Sequence, residues 1–111
     1  MHAFDVLGEP IRRRVVELLL TDGELSAGEI TARVQQEVAV SQPGVSQHLR
    51  VLRENGYVTV RPEGTRRLYS LDAAPLAELD AWLAPYRRLW ADRLDALDTE
   101  IRRGRRTRRT T

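Results

Sequence analysis

One predicted helix carries, on a single face, polar side chains suited to binding nucleic acid. Within residues 42–54, Val45, Leu49 and Leu52 recur at helical spacing and define the face that turns inward. The opposite face presents hydroxyl, amide and guanidinium groups, which hydrogen-bond to base edges and to phosphate. A solvent-exposed helix without a ligand has the same spacing, so this face alone leaves both interpretations open. The outward residues are Gln42, Pro43, Ser46, Gln47, Arg50 and Glu54.

Individual groups at this helix have specific expected contacts. The Gln47 amide can pair bidentately with adenine, and the Arg50 guanidinium with guanine or a phosphate. Ser41 is placed to cap the helix, and Pro43 is tolerated in its first turn. The free backbone amides after Ser41 can hold a phosphate at the helix N-terminus.

A β-hairpin is predicted directly after this helix. Residues 57–61 alternate as a strand does, Pro62, Glu63 and Gly64 are turn residues, and residues 68–71 form the second strand. Guanidinium groups near the tip of such a hairpin can lie along a phosphate backbone or enter a narrow minor groove. An ordinary surface hairpin also carries charge. The arginines concerned are Arg61, Arg66 and Arg67.

Two further helices must position these groups. The first is predicted from Pro10 to about Asp22, with its apolar residues along one side. Ser26 followed by Glu29 forms a capping box that begins the second. Two short helices, a polar-faced third helix and a hairpin, in this order, match a winged helix-turn-helix. The predicted fold is therefore mainly α with a small β-hairpin wing (α+β).

The last segment predicts a long helix with an apolar stripe, from Ala74 to about Arg103. The stripe is wider than a small domain normally covers, which indicates docking against a second copy of the chain. Pro85 interrupts the pattern, and we expect a kink or a break there. Residues predicted at this dimer surface are Leu79, Trp82, Leu83, Tyr86, Leu89, Trp90, Leu94 and Leu97.

Charge is unevenly distributed along the chain. The net charge is +2, but six of the arginines lie in the last ten residues, and the remaining twelve face all 16 acidic residues. Only the middle third, residues 41–71, is positive, as expected of a protein that presents one surface to phosphates; chance clustering remains the alternative. We expect one domain over residues 1–103 and a disordered arginine-rich tail over residues 104–111.

Composition excludes several other classes of protein. A chain of 111 residues without cysteine has no disulfide or thiolate metal site, and it has only two histidines. We predict no metal site, no cofactor and no enzymatic activity, because no clustered catalytic residues or glycine-rich phosphate loop occur. No apolar run reaches the length of a membrane span, and no secretory signal is evident, so a cytoplasmic location is expected.

Three segments resemble the ArsR/SmtB-type winged helix-turn-helix repressors. Residues 40–58, VSQPGVSQHLRVLRENGYV, resemble the recognition helix of that family. Residues 4–10, FDVLGEP, followed by Arg12, Arg13 and Arg14, resemble its N-terminal signature, and residues 64–69, GTRRLY, its wing. The resemblance covers nearly the whole chain.

This resemblance implies a homodimer, built on the first and last helices, that binds an inverted repeat and blocks transcription. It places Ser46, Gln47 and His48 toward the groove, Tyr69 in the wing, and Phe4 and Leu7 at the dimer interface. Residues 35–37 are about one helical turn in excess of the family pattern. Metal-sensing relatives use cysteines or Asp/His pairs, and the last helix here has aspartates without histidine.

Two other interpretations remain open from the sequence. One is a winged-helix module that binds protein instead of DNA; the other is an RNA-associated module that uses its arginine tail, and neither has operator specificity. The dimer groove is also where an unidentified small-molecule effector fits. Strong salt dependence of binding would separate a dimer with many phosphate contacts from the protein-binding alternative.

Overall fold

A computed structural model describes the backbone of residues 1–110 and the side chains of residues 1–104. The elements in chain order are α1 (Ala3–Leu7), α2 (Pro10–Asp22), β1 (Leu25–Ser26), α3 (Ala27–Glu37), α4 (Gln42–Glu54), β2 (Val58–Glu63), β3 (Arg66–Leu71), a 3₁₀ turn (Ala74–Leu76) and α5 (Ala77–Thr110). They fall into two units, Met1–Leu79 and Asp80–Thr111, each of which is described by itself.

Capping side chains fix the starts of the helices, and those at Ser26 and Ser41 were indicated by the sequence, whereas Glu9 was not. Glu9 caps α2 by accepting from the Arg12 amide at 2.9 Å. Ser26 and Glu29 make both hydrogen bonds of the capping box at the start of α3. The Ser41 hydroxyl accepts from the Gly44 amide at 3.1 Å at the start of α4. The predicted first, second and third helices are confirmed as α2, α3 and α4, and the additional residues 35–37 belong to α3.

The sheet has three strands in the order β1-β3-β2, all antiparallel. Glu63 pairs with Arg66 at the end of the hairpin, so the turn consists of Gly64 and Thr65, with Gly64 at φ +61°. The predicted turn was therefore wrong at Pro62 and Glu63, which extend β2. Strand β1 was not predicted, because two residues give no alternation to recognise.

The core of the first unit lies between α1, α2, α3, α4 and the sheet. Val45, Leu49 and Leu52 are buried, as the spacing of α4 predicted. Tyr57, at the start of the hairpin, is 2% exposed, and burial raises the pKa of its hydroxyl above the ordinary value. These contacts fix which face of α4 remains outside.

The second unit is formed by α5 from Asp80 onward. A kink or a break was expected at Pro85. The helix continues through this residue, so there is no break. It also continues past Arg103 to Thr110. The side chains of residues 105–111 lie outside the described part, and the predicted tail stays a prediction. No helix in the described residues is both long and apolar enough to span a membrane.

Candidate nucleic-acid interface

The outward face of α4 forms a shallow concave surface. Its lining consists of Gln42, Pro43, Ser46, Gln47 and Arg50, all of which are exposed. The structure therefore brings together the residues that helical spacing placed on this face. Their hydroxyl, amide and guanidinium groups share one open surface, where all can meet the same ligand.

Helix α3 borders the same surface on one side. Gly28, Thr31 and Gln35 line a neighbouring hollow together with Gln42 and Ser46. The Thr31 hydroxyl donates to the Ala27 carbonyl oxygen, and the Gln35 amide donates to the Val40 carbonyl oxygen. Because these side chains are engaged within the fold, α3 shapes the surface more than it offers free groups. These residues were not predicted as part of the site.

The start of α4 is closely packed around Gly44. A Cβ atom at this position would lie 2.9 Å from Val40 Cγ2 and 3.2 Å from the Ser41 hydroxyl oxygen. Both distances are too short for a side chain without displacement of its neighbours. Glycine at this position lets the loop before α4 fold closely over the first helical turn. Pro43 has no N–H and the Gly44 amide donates to the Ser41 hydroxyl, so the free amides expected after Ser41 are reduced to that of Gln42.

The other side of the concave surface is bordered by the hairpin. A second hollow between α4 and β3 is lined by Ser46, Arg50, Arg53, Arg67 and Tyr69, with parts of Ala27 and Leu49. Arg53 was missed from the sequence. The signal was available, because positions 46, 50 and 53 follow one another at i, i+4 and i+7 on one helix face.

Unpaired positive charge is concentrated in this second hollow. Arg50, Arg53 and Arg67 are exposed, and their side chains form no hydrogen bond or ion pair with any residue that the structure describes. Every other arginine of residues 1–79 is engaged: those with acidic partners are Arg14, Arg33, Arg61 and Arg66, and those bound to backbone carbonyls are Arg12 and Arg13. Within residues 1–79, the unengaged arginines therefore lie at one place, the hollow between α4 and the hairpin.

Arg61 is paired within the fold, which the prediction from the hairpin did not include. Its guanidinium donates to both carboxylate oxygens of Glu24, and this ion pair lowers the pKa of Glu24 and raises that of Arg61. Arg66 is held less closely, 3.8 Å from Glu29 and 3.8 Å from Glu63. Only Arg67 of the three predicted hairpin arginines lies free beside α4.

His48 and Tyr69 also differ from their predicted places. His48 is half-buried, with its Nδ1 atom 3.3 Å from Arg12 Nη1, so its ring faces α2 and not the outward surface of α4. Tyr69 is 8% exposed and belongs to the core, and only its edge reaches the hollow between α4 and the hairpin. Core packing and a polar contact across the fold account for these positions.

The apolar stripe of α5 is exposed along the described part of the helix. Its large side chains, Trp82, Tyr86, Leu89, Trp90, Leu94, Leu97 and Ile101, are between 46% and 65% exposed. Leu83 is half-buried, and the Trp82 and Tyr86 rings stack at 4.6 Å. Of the remaining predicted dimer residues, Phe4 is exposed, whereas Leu7 and Leu79 pack against the core of the first unit.

Comparison with known proteins gives matches to transcription regulators. A sequence profile described as a helix-turn-helix domain matches residues 7–61. The HTH-type transcriptional regulator Rv2034 of Mycobacterium tuberculosis is 44% identical over 78 residues, which cover 70% of this chain and 68% of that protein. The biofilm growth-associated repressor of Xylella fastidiosa is 38% identical over 73 residues, covering 66% of this chain and 60% of that protein.

A solved structure that matches this chain is also that of a transcription regulator. The crystal structure of an ArsR family transcriptional regulator, RHA00566, matches with a TM-score of 0.64 at 25% identity, and the match covers 79% of this chain and 86% of that one.

Proposed function

This chain belongs to the ArsR family of winged helix-turn-helix transcription regulators, and on that premise we propose that it is a transcription repressor. It binds double-stranded DNA in a sequence-specific manner, as a homodimer on an inverted repeat. The observation that carries this proposal is the convergence of base-reading groups on α4 with the only unengaged arginines among the described residues 1–79.

Each part of the surface has a proposed role. Ser46 and Gln47 read base edges in the major groove, with Gln47 directed at adenine. Arg50 contacts guanine or the adjacent phosphate. Arg53 and Arg67, which form no ion pair with any described residue, bind phosphates beside the groove. At the N-terminus of α4 the Gln42 backbone amide is available to a further phosphate, because Pro43 has no N–H and the Gly44 amide donates to the Ser41 hydroxyl.

The α5 stripe provides the surface for the second copy. From Leu83 the stripe repeats at eleven residues: Leu83 is followed by Leu94, Tyr86 by Leu97, and Trp90 by Ile101. An eleven-residue repeat corresponds to about 3.67 residues per turn, close to an undistorted helix. Two such stripes therefore pair over several turns with little supercoiling. Covering these apolar side chains gives the free energy of association.

Two-fold pairing explains repression on an inverted repeat. A dimer presents two copies of α4, which fit half-sites about one helical turn, or about 34 Å, apart. The dimer acts in the cytoplasm, where its binding to this site prevents other proteins from occupying the same DNA. The tail, residues 104–111, adds affinity without sequence preference through its arginines, so its deletion leaves the preferred sequence unchanged.

The proposal is tested by selecting bound fragments from genomic DNA with the purified chain. We expect an inverted repeat with half-sites about one turn apart. Affinity for that sequence falls by about a thousandfold between about 50 and about 200 mM salt if the dimer makes six or more phosphate contacts. Fragments enriched by length alone, or binding with little salt dependence, would indicate a tail-driven or protein-binding module instead.

A further inference from the structure

The end of α1 is held by arginine side chains of α2. Arg12 Nε donates to the Val6 carbonyl oxygen at 2.8 Å and Arg12 Nη2 to the Asp5 carbonyl oxygen at 3.0 Å. Arg13 Nη1 donates to the Leu7 carbonyl oxygen at 2.9 Å. The last carbonyls of a helix have no partner within the helix, so these guanidinium groups fix where the five-residue helix α1 ends.

The same Arg12 guanidinium also reaches α4. Its Nη1 atom lies 3.3 Å from His48 Nδ1. A guanidinium can only donate hydrogen bonds, so Nδ1 accepts and the neutral imidazole carries its proton on Nε2. Glu9 lies nearby, but its Oε2 atom is 3.7 Å from His48 Nδ1 and accepts from the Arg12 amide instead. One half-buried side chain thus connects α1, α2 and α4.

The contact between Arg12 and His48 lies next to a proposed base-reading residue of α4. His48 directly follows Gln47 and lies one residue before the buried Leu49. The apolar contacts of α4 hold it against the core, but such contacts are not directional and tolerate small rotations. A hydrogen bond is directional. The contact from Arg12 therefore adds a directional restraint to the orientation that core packing gives α4, and with it to the direction of the Gln47 amide.

We propose that Arg12 and His48 are positioning residues for DNA recognition, which orient α4 relative to α1 without contacting DNA. This inference rests on the proposed function and adds to it a connection between α1 and α4. Phe4, a predicted dimer residue, lies on α1, so the link joins the element that faces the second copy to the helix that reads the bases.

The test compares two replacements of His48. His48→Leu has no acceptor for Arg12, whereas the side-chain oxygen of His48→Gln can accept. Affinities are measured for the selected operator and for a scrambled duplex at several salt concentrations, together with thermal unfolding. We expect His48→Leu to lose about tenfold in operator affinity, with unchanged scrambled-duplex affinity and salt slope, and His48→Gln to regain most of that loss.

Variants of Arg12 and Arg13 test whether Arg12 and His48 act together and supply the matched control. Arg12→Gln, which also loses its contacts to two α1 carbonyls, should weaken operator binding at least as much as His48→Leu. The double variant should bind no worse than Arg12→Gln alone, because both single variants already lack the contact between Arg12 and His48. Arg13→Gln removes only the contact to the Leu7 carbonyl and should leave operator preference unchanged. Additive losses, or an equal effect of Arg13→Gln, would overturn the proposal.

The contact between Arg12 and His48 can also be tested without DNA. In ¹⁵N spectra of the parent chain, neutral His48 should be the Nε2–H tautomer, and Arg12→Gln should shift the Nδ1 resonance, because that atom loses its hydrogen-bond donor. A proton on Nδ1 in the parent overturns the link even if operator binding is normal. Loss of scrambled-duplex affinity in His48→Leu, with a smaller salt slope, would instead make His48 a phosphate contact. A parent chain without operator preference overturns the proposed function, whatever the tautomer.

Discussion

Arg61 of β2 donates from Nε and Nη2 to the two carboxylate oxygens of Glu24, at 2.9 and 2.7 Å. Glu24 also accepts from the Ser70 hydroxyl at 3.0 Å, so one carboxylate joins the segment before β1 to both strands of the hairpin. The hairpin is thereby fixed at its base on the side of Glu24. Arg61, which the sequence predicted as a nucleic-acid contact, thus also helps to position the hairpin.

Replacing Glu24 should make stability less dependent on pH. The hydrogen bonds from Arg61 hold the folded-state pKa of Glu24 below its ordinary value of 4.5. A lowered folded pKa contributes stability above the unfolded pKa, and that contribution disappears as pH falls through the folded pKa. Glu24→Gln should therefore unfold at a lower temperature than the parent at pH 7, with the difference shrinking below about pH 4.

Thermal unfolding followed by circular dichroism from pH 3 to 7 checks this. Glu54→Gln is the control, because Glu54 is exposed and has no ion pair with any described residue. A difference between Glu24→Gln and the parent that is constant over the whole pH range would show that the carboxylate charge does not stabilise the fold.

Gln47→Ala should relax base choice at one position in each half-site. Its amide lies in the middle of the concave surface, where it can pair with one adenine. The expected loss on the matched site is about 1 to 3 kcal/mol, with little change on a site altered at that base pair. Competition between the two duplexes measures it, with Gln36→Ala, an exposed residue of α3, as the control. An equal loss on both duplexes would place Gln47 on the backbone.

Arg53→Ala combined with Arg67→Ala should weaken binding to all sequences alike. Both side chains are unengaged among the described residues and line the hollow between α4 and the hairpin. Each lost phosphate contact reduces the slope of log affinity against log salt by about 0.9. Both copies in the dimer carry both changes and four contacts are lost, so the slope should fall by about 3.6. Arg61→Ala, whose charge is paired with Glu24, is the matched control and should leave the slope unchanged. A reduced slope for Arg61→Ala would reassign the phosphate contact.

The sequence predicted the elements that depend on neighbouring residues. The capping box at Ser26 and the N-cap at Ser41 act over three residues, so the starts of α3 and α4 could be inferred without the fold. The outward face of α4 followed from its apolar spacing for the same reason. The exposed stripe of α5 is also a local pattern.

What could not be predicted depends on residues far apart in the chain. Arg61 and Glu24 are 37 positions apart, and Arg12 and His48 are 36 apart. A count of arginines near a hairpin tip cannot distinguish those with an acidic partner from those without one. The free arginines became evident only when the partners of the others were known. Strand β1 was missed because it forms by pairing with β3 and has no pattern of its own.

Replacing Trp82 and Trp90 together by alanine should shift the chain from dimer toward monomer. Trp90 is 65% exposed in the single chain, and a second copy covering it would remove a large apolar surface from water. Truncating an aromatic residue at the centre of an interface costs about 2 kcal/mol or more. Sedimentation over a range of protein concentrations measures the change. Operator affinity should fall with it, because each half-site is then bound separately.

Arg88→Ala is the control for this prediction, since Arg88 lies on the face of α5 opposite the apolar stripe and has no ion pair with a described residue. It should leave the dimer intact. The circular dichroism spectrum of the tryptophan variant must show the same helix content as the parent. Loss of the dimer is then not caused by unfolding of α5. A variant that sediments as a dimer at every concentration would place the contact between copies on another surface, and Phe4, exposed on α1, would be the next residue to replace.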